Sequence, residues 1–252
     1  MTLRSWFLSV LVAWAGCAAA ADVQVAVAAN MAAPMRKIAA DFARTSGHTA
    51  VVALGSTGKF HAQIRSGAPF EVLLAADEAT PARLEQEGLA VPGTRFTYAI
   101  GRLALWSADA ALVDTGGRIL RQPPHGKLAI ADPRLAPYGA AAVQALANLG
   151  VLAAWQAQMA QGENIGQAYQ FAASGAAPLG FVALAQVMSD GRITRGSAWI
   201  VPAPLHAPLR QDAVLLRPGQ ARPAAIALLA YLKSDAARAI LRGYGYEFPS
   251  QQ

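Results

Sequence analysis

Three times between residues 23 and 88 the hydrophobic pattern changes from the two-residue period of a strand to the 3.6-residue period of a helix. The run Val23-Gln24-Val25-Ala26-Val27-Ala28-Ala29 is β-rich and alternating. Asn30 follows as the N-cap of an amphipathic helix with Met35, Ile38, Ala39 and Phe42 on one face, closed by Gly47. Thr49–Leu54 reads as a second strand, and Gly55-Ser56-Thr57-Gly58 breaks it before a short helix, Lys59–Arg65. Glu71–Ala75 is a third strand, and Ala79–Gly88 a third helix with Leu84 inward. Parallel strands need helical crossovers to join them. Strands alternating with helices across short loops therefore predict an α/β protein with a sheet covered on both faces.

The rhythm then repeats. Phe96–Trp106 is a long apolar run, read as a crossing strand. Lys127–Ala131 and Leu179–Val182 are strands, and Gly139–Leu149, Ile165–Ala173 and Ala183–Met188 are helices. Ala198–Val201 and Asp212–Leu216 are further strands, followed by helices at Pro223–Leu232 and from Ser234-Asp235 to Gly243. This order predicts two α/β lobes joined by crossing strands, residues 22–100 plus 208–252 forming lobe 1 and residues 101–207 lobe 2. In such sheets ligands sit beyond the carboxyl ends of the strands.

The segment before the first strand has a different character. Arg4, the apolar run Trp6–Ala15 and the small residues up to Ala21 have the form of a secretory signal peptide, residues 1–21, which implies a periplasmic location. Ala15-Gly16-Cys17 also resembles the end of a lipoprotein box, so a lipid anchor at Cys17 is the alternative, with Trp14 where an aliphatic residue is usual. Cys17 is the only cysteine, which excludes a disulfide framework. At 54% hydrophobic and 14% charged residues, the chain is not disordered. The formal net charge of +6 favours anionic partners. The basic residues are scattered in an exported chain, so nucleic acid is not an expected partner.

Familiar catalytic patterns are missing. His48, His61, His125 and His206 have no zinc-ligand spacing. Gly55-Ser56-Thr57-Gly58-Lys59 has Ala53 and Phe60 where a phosphate loop needs Gly and Ser or Thr, and no G-x-S-x-G elbow occurs. Asp77-Glu78 could be an acid pair, but Asp77 reads better as a helix cap. The sequence predicts no enzyme and no cofactor.

What it offers instead is four loop-to-helix junctions: Ala29-Asn30, Ser56-Thr57-Gly58, Pro137-Tyr138-Gly139 and Asn164-Ile165. A helix N-terminus carries unpaired N–H groups and partial positive charge, so it binds anions without a cationic side chain. Each junction alone is better explained by capping or turn formation, and only their joint placement in a two-lobed exported chain favours a site.

These residues carry a resemblance. Val25-Ala26-Val27-Ala28-Ala29-Asn30, Gly55-Ser56-Thr57-Gly58-Lys59, Gly67-Ala68-Pro69-Phe70-Glu71-Val72, Ala136-Pro137-Tyr138-Gly139, Leu179-Gly180-Phe181-Val182 and Gly243-Tyr244-Gly245-Tyr246 stand in order along nearly the whole mature chain. In this the sequence resembles the molybdate-binding periplasmic proteins of ABC transporters, the ModA family. The resemblance implies a class II periplasmic-binding-protein fold, closing over a tetrahedral oxyanion held by uncharged donors. It places Asn30, Thr57, Tyr138 and Ile165 as ligands, Ile165 through its backbone N–H, with Ala29 and Ser56 as further contacts. Ala29 departs from relatives with a hydroxyl there. Ala183 departs from a branch with a ligand tyrosine, whose part Tyr138 would take. Molybdate, and tungstate as its near isostere, are the implied ligands, an ABC permease the implied partner, and a monomer the implied state. Another oxyanion such as sulfate is the alternative. An exported enzyme of the same architecture and a sensor for a signalling partner are more distant ones.

Overall fold

The structure, a computed structural model, describes residues 20–249. The leader and Cys17 lie outside the described residues.

The first half runs β1 (Asp22–Ala28), α1 (Ala32–Ser46), β2 (Thr49–Gly55), α2 (Thr57–Arg65), β3 (Val72–Leu74), α3 (Ala79–Gln86) and β4 (Phe96–Gly101). The middle runs β5 (Leu103–Ser107), β6 (Leu128–Ala131), α4 (Pro137–Asn148), α5 (Leu152–Gln156), β7 (Met159–Gly162), α6 (Ile165–Ala173), β8 (Leu179–Ala183) and α7 (Leu184–Val187). A two-strand ribbon follows, β9 (Met188–Ser189) with β10 (Arg192–Ile193), and then β11 (Ser197–Ile200). The chain ends with β12 (Leu209–Leu215), α8 (Pro223–Tyr231) and α9 (Asp235–Gly243).

Two five-stranded sheets result, in the orders β2-β1-β3-β12-β4 and β11-β5-β8-β6-β7. In the first, β1 runs parallel to β2 and β3, while β12 returns antiparallel to β3 and β4. In the second, β6 is parallel to β7 and β8, and β5 is antiparallel to β8 and β11. The chain passes between the sheets at Arg102 and again between Ile200 and Leu209.

The alternation of β1 explains the layering. Val23, Val25 and Val27 face one way and are fully buried with Met35, Ile38 and Phe42 of α1 and with Leu228 of α8. Ala26 faces the other way, against Phe60 and Ile64 of α2 and Leu84 of α3. Around the second sheet, Leu105, Ile130 and Phe181 pack with Ala142 and Leu146 of α4.

Several local expectations shift. The apolar run Phe96–Trp106 is two strands in two sheets, because Arg102 interrupts it, its carbonyl accepting from the Leu184 N–H. The second helix starts at Thr57, two residues early, with Ser56 as its N-cap accepting from Lys59 N–H. Asn30 is not a helix cap: Ala29–Met31 form a single 3-10 turn, and α1 follows with no side-chain cap bond at Met31. The helix expected over Ala183–Met188 keeps only the turn Leu184–Val187, because Met188 is already extended. α5 and β7 were not foreseen, being too short to show a period.

Candidate functional site

Parallel pairing sets the site. Ala28 pairs with Gly55 and Val27 with Leu74, so the carboxyl ends of β1, β2 and β3 finish level. Ala131 pairs with Gly162 in the second sheet, which brings the starts of α4 and α6 side by side. The two edges meet around a small cavity, about 10 Å³, lined by Ala28, Ala29, Asn30, Gly55, Ser56, Thr57, Ala76, Ala136, Pro137, Tyr138, Asn164 and Ile165. Every residue nominated from the sequence is in that lining, and none of the lining side chains is charged.

Three of the four junctions leave a donor unspent. Thr57 Oγ1 accepts from the Ala76 N–H at 3.0 Å, so the hydroxyl proton is what the side chain still has to give. Pro137 opens α4 and has no N–H, which makes the Tyr138 N–H the first donor of that helix. Asn164 caps α6 by accepting from the N–H groups of Gly166 at 2.9 Å and Gln167 at 3.1 Å, and so leaves the Ile165 N–H unclaimed. Gln186 Nε2 donates to the Ile165 carbonyl at 3.0 Å and steadies that turn. Gly139 is required by space: a Cβ there would lie 2.2 Å from the Ala131 carbonyl oxygen.

Asn30, 1% exposed, has Nδ2 at 2.9 Å from both Gln211 Oε1 and the Tyr246 hydroxyl, while its Oδ1 has no partner. Gln211 Nε2 lies 3.0 Å from the Tyr138 hydroxyl, and Gln211 Oε1 lies 3.0 Å from the Tyr98 hydroxyl. Tyr98 also reaches the Ala75 carbonyl at 3.0 Å. Burial pushes the Tyr98, Tyr138 and Tyr246 phenols up, so all three keep their protons at neutral pH. Gln211 is absent from the sequence reading, and Tyr246 appears there only as part of the Gly243-Tyr244-Gly245-Tyr246 landmark, not as a site residue. Gln211 stands between Arg210 and Asp212, where a polar residue reads as solvent-facing, yet it is 0% exposed.

The halves touch across the cavity rim. The Gly58 N–H donates to the Leu135 carbonyl at 2.9 Å, and Lys59 Nζ pairs with Glu163 Oε1 at 2.5 Å. A wider groove opens beside the cavity, past Glu78, Arg134 and Arg210, but its arginines are taken by Asp132 and Glu78 at 3.0 Å each. Asp77 accepts from the N–H and hydroxyl of Thr80, as a cap does. No histidine lines the cavity, and no cluster of three His, Cys, Asp or Glu able to hold a metal occurs among the described residues.

The family profile described as bacterial extracellular solute-binding protein matches residues 23–247. The molybdate-binding protein ModA of Azotobacter vinelandii is 54% identical over 91% of this chain and 92% of its own. ModA of Rhodobacter capsulatus is 49% identical over 91% and 89%. This chain belongs to the ModA family. The solved Azotobacter vinelandii periplasmic molybdate-binding protein overlays 90% of this chain and 100% of its own with a TM-score of 0.87 at 40% identity. ModA relatedness therefore extends over both sheets and both edges of the cavity, and the fold is that of a periplasmic binding protein.

Proposed function

We propose that this protein is an extracytoplasmic solute-binding protein that captures molybdate, and tungstate with it, between two lobes and delivers it to an ABC permease. One observation carries the reading: neutral donors from both sheets converge on one cavity that no charged side chain lines. Molybdate near neutral pH carries no proton, so its four oxygens only accept. Asn30, Thr57, Tyr138 and Ile165 hold it, the last two through helix N-terminal N–H groups, with Ala29 and Ser56 closing the shell. Hydrogenphosphate would bring a proton with no acceptor to meet it, at a cost of about 1–3 kcal/mol for a buried unmatched group. Sulfate has the acceptor pattern of molybdate and differs in size.

In this reading residues 22–100 and 208–252 move as one lobe and residues 101–207 as the other. An anion touched by both lobes favours the closed arrangement by the difference in its affinity for closed and open forms. The closed shape is what the permease reads. The chain acts in the periplasm as a monomer after loss of residues 1–21. It needs no cofactor, binds no nucleic acid and catalyses nothing.

The test is a melting panel with sodium molybdate, tungstate, sulfate and phosphate, followed by calorimetry. Molybdate and tungstate should raise the melting temperature and the other two should not, because only a ligand of the folded state stabilises it. A larger rise with sulfate, or no rise with any oxyanion, overturns the reading.

A further inference from the structure

We propose that Gln211 is a positioning residue that sets the polarity of the anion site, holding the Asn30 amide with its N–H toward the cavity and tying that setting to Tyr138 in the opposite lobe. The inference rests on the oxyanion reading above.

The terminal amides of Asn30 and Gln211 are nearly symmetrical in shape, and each can be set in two ways that fill the same space. With Nδ2 turned to Gln211, Asn30 leaves Oδ1 unpartnered at the cavity, where an acceptor would repel an anion. That setting also asks the single Tyr98 proton to serve both Gln211 Oε1 and the Ala75 carbonyl, each 3.0 Å away. Turning both amides over removes both conflicts at Gln211 and leaves one shared proton at Tyr246, which then faces Asn30 Oδ1 at 2.9 Å and the Asn30 carbonyl at 3.2 Å. Asn30 Oδ1 then accepts from Gln211 Nε2 and from Tyr246 across the same 2.9 Å separations. The second Gln211 N–H goes to the Tyr98 oxygen, which frees Tyr98 to donate to Ala75. Gln211 Oε1 accepts the Tyr138 proton across 3.0 Å. What is left over is the Asn30 Nδ2 group with its two N–H donors at the cavity, and a bound oxyanion is the acceptor they lack.

Tyr246 does not impose this order, since its one proton is divided between Asn30 Oδ1 and the Asn30 carbonyl 3.2 Å away. Gln211 does, because its donor and acceptor ends are fixed relative to each other. It sits on β12, just past the second crossing between the sheets, and its far end touches α4 of the other sheet. Gly101, at the first crossing, makes room for that contact: a Cβ there would lie 2.1 Å from the Tyr138 hydroxyl and 2.3 Å from Gln211 Nε2.

The experiment measures sodium molybdate affinity by calorimetry for wild type, Gln211→Met and Gln211→Glu from pH 5 to pH 9, with the melting curve of each unliganded protein recorded alongside. Methionine fills the space without directing either neighbour, and should weaken binding about tenfold or more at every pH. Glutamate can only accept while ionised and regains one donor when protonated, so its binding should be weak at the alkaline end and recover toward wild type on acidification. Wild type should stay flat, although Tyr98, Tyr138, Tyr246, Asp77 and Asp212 lie nearby: the phenols remain protonated, and Asp212 points to the opposite face, bonded by Arg95 and Thr97. Any titration of Asp77 is common to all three proteins. Methionine binding within about threefold of wild type overturns the proposal, as does a glutamate variant equally tight, or equally weakened, at every pH. Wild type that binds no molybdate overturns the functional reading itself, and this inference with it.

Discussion

Thr57 shows how much can turn on one proton. Its oxygen already accepts from the Ala76 N–H, so alanine in its place removes a cavity donor and strands a buried N–H as well. Thr57→Ala should weaken molybdate binding about tenfold, the order expected for losing one hydrogen bond to a charged partner, whereas Thr57→Ser should stay within about threefold; calorimetry separates them. Tyr138→Phe should also lose about tenfold, because Gln211 Oε1 is then left without its donor. The sequence reading gave the Tyr138 hydroxyl to the anion. That hydroxyl lies 3.0 Å from Gln211 Nε2, and under the proposal for Gln211 the anion would meet the main-chain N–H at the start of α4 instead. Residue types at helix starts made Thr57, Tyr138 and Ile165 legible. Gln211 was not, because nothing in Arg210-Gln211-Asp212 distinguishes a buried amide from a solvated one.

The elements are held by burial, and their starts are tuned by caps. Phe42, 1% exposed, anchors α1 against Tyr231 of α8 at a ring separation of 5.7 Å. Phe42→Ala should cost about 3–5 kcal/mol in denaturant unfolding. Asp77 is a subtler case. Burial raises its carboxyl above the ordinary value of 3.8, outweighing the two bonds from Thr80. The folded state therefore binds the proton more tightly than the unfolded chain does. Asp77 costs nothing below the unfolded pKa, and its penalty grows as pH rises through the folded one. Asp77→Asn should accordingly melt higher than wild type at neutral pH, with the advantage gone below about pH 3; a difference that persists in acid would refute this assignment of cause. Long, periodic elements such as α1 and β1 were readable in advance. The five-residue α5 and the four-residue β7 were not, because pairing and packing fix them rather than any pattern of their own.

At the scale of the whole molecule, an exposed ion pair bridges the cavity rim. Lys59 and Glu163 face each other over the rim with side chains 45% and 39% exposed, so the pair contributes little, of the order of 0–1 kcal/mol. Lys59→Ala should change molybdate affinity less than about fivefold, and that difference should shrink further in high salt. If the lobes close on the anion, the radius of gyration from small-angle scattering should fall when molybdate is added to ligand-free protein; an unchanged radius would mean that the cavity fills without movement. The doubled α/β rhythm was enough to anticipate two sheets with a return of the chain to the first. It could not show that Phe96–Trp106 divides at Arg102, because continuous hydrophobicity looks the same whether one sheet or two receives it.

That return has a consequence for how the protein is made. β12 lies between β3 and β4, so the first sheet lacks an interior strand until residues 209–215 have been synthesised. A chain emerging from its amino end therefore presents Leu73 and Leu74 on an unfinished ladder while more than half its length is still to come. The second sheet draws all its strands from one continuous stretch and can mature meanwhile. A nascent chain cut short before Leu209 would carry all four junctions of the cavity and still lack Gln211, the side chain that meets Asn30.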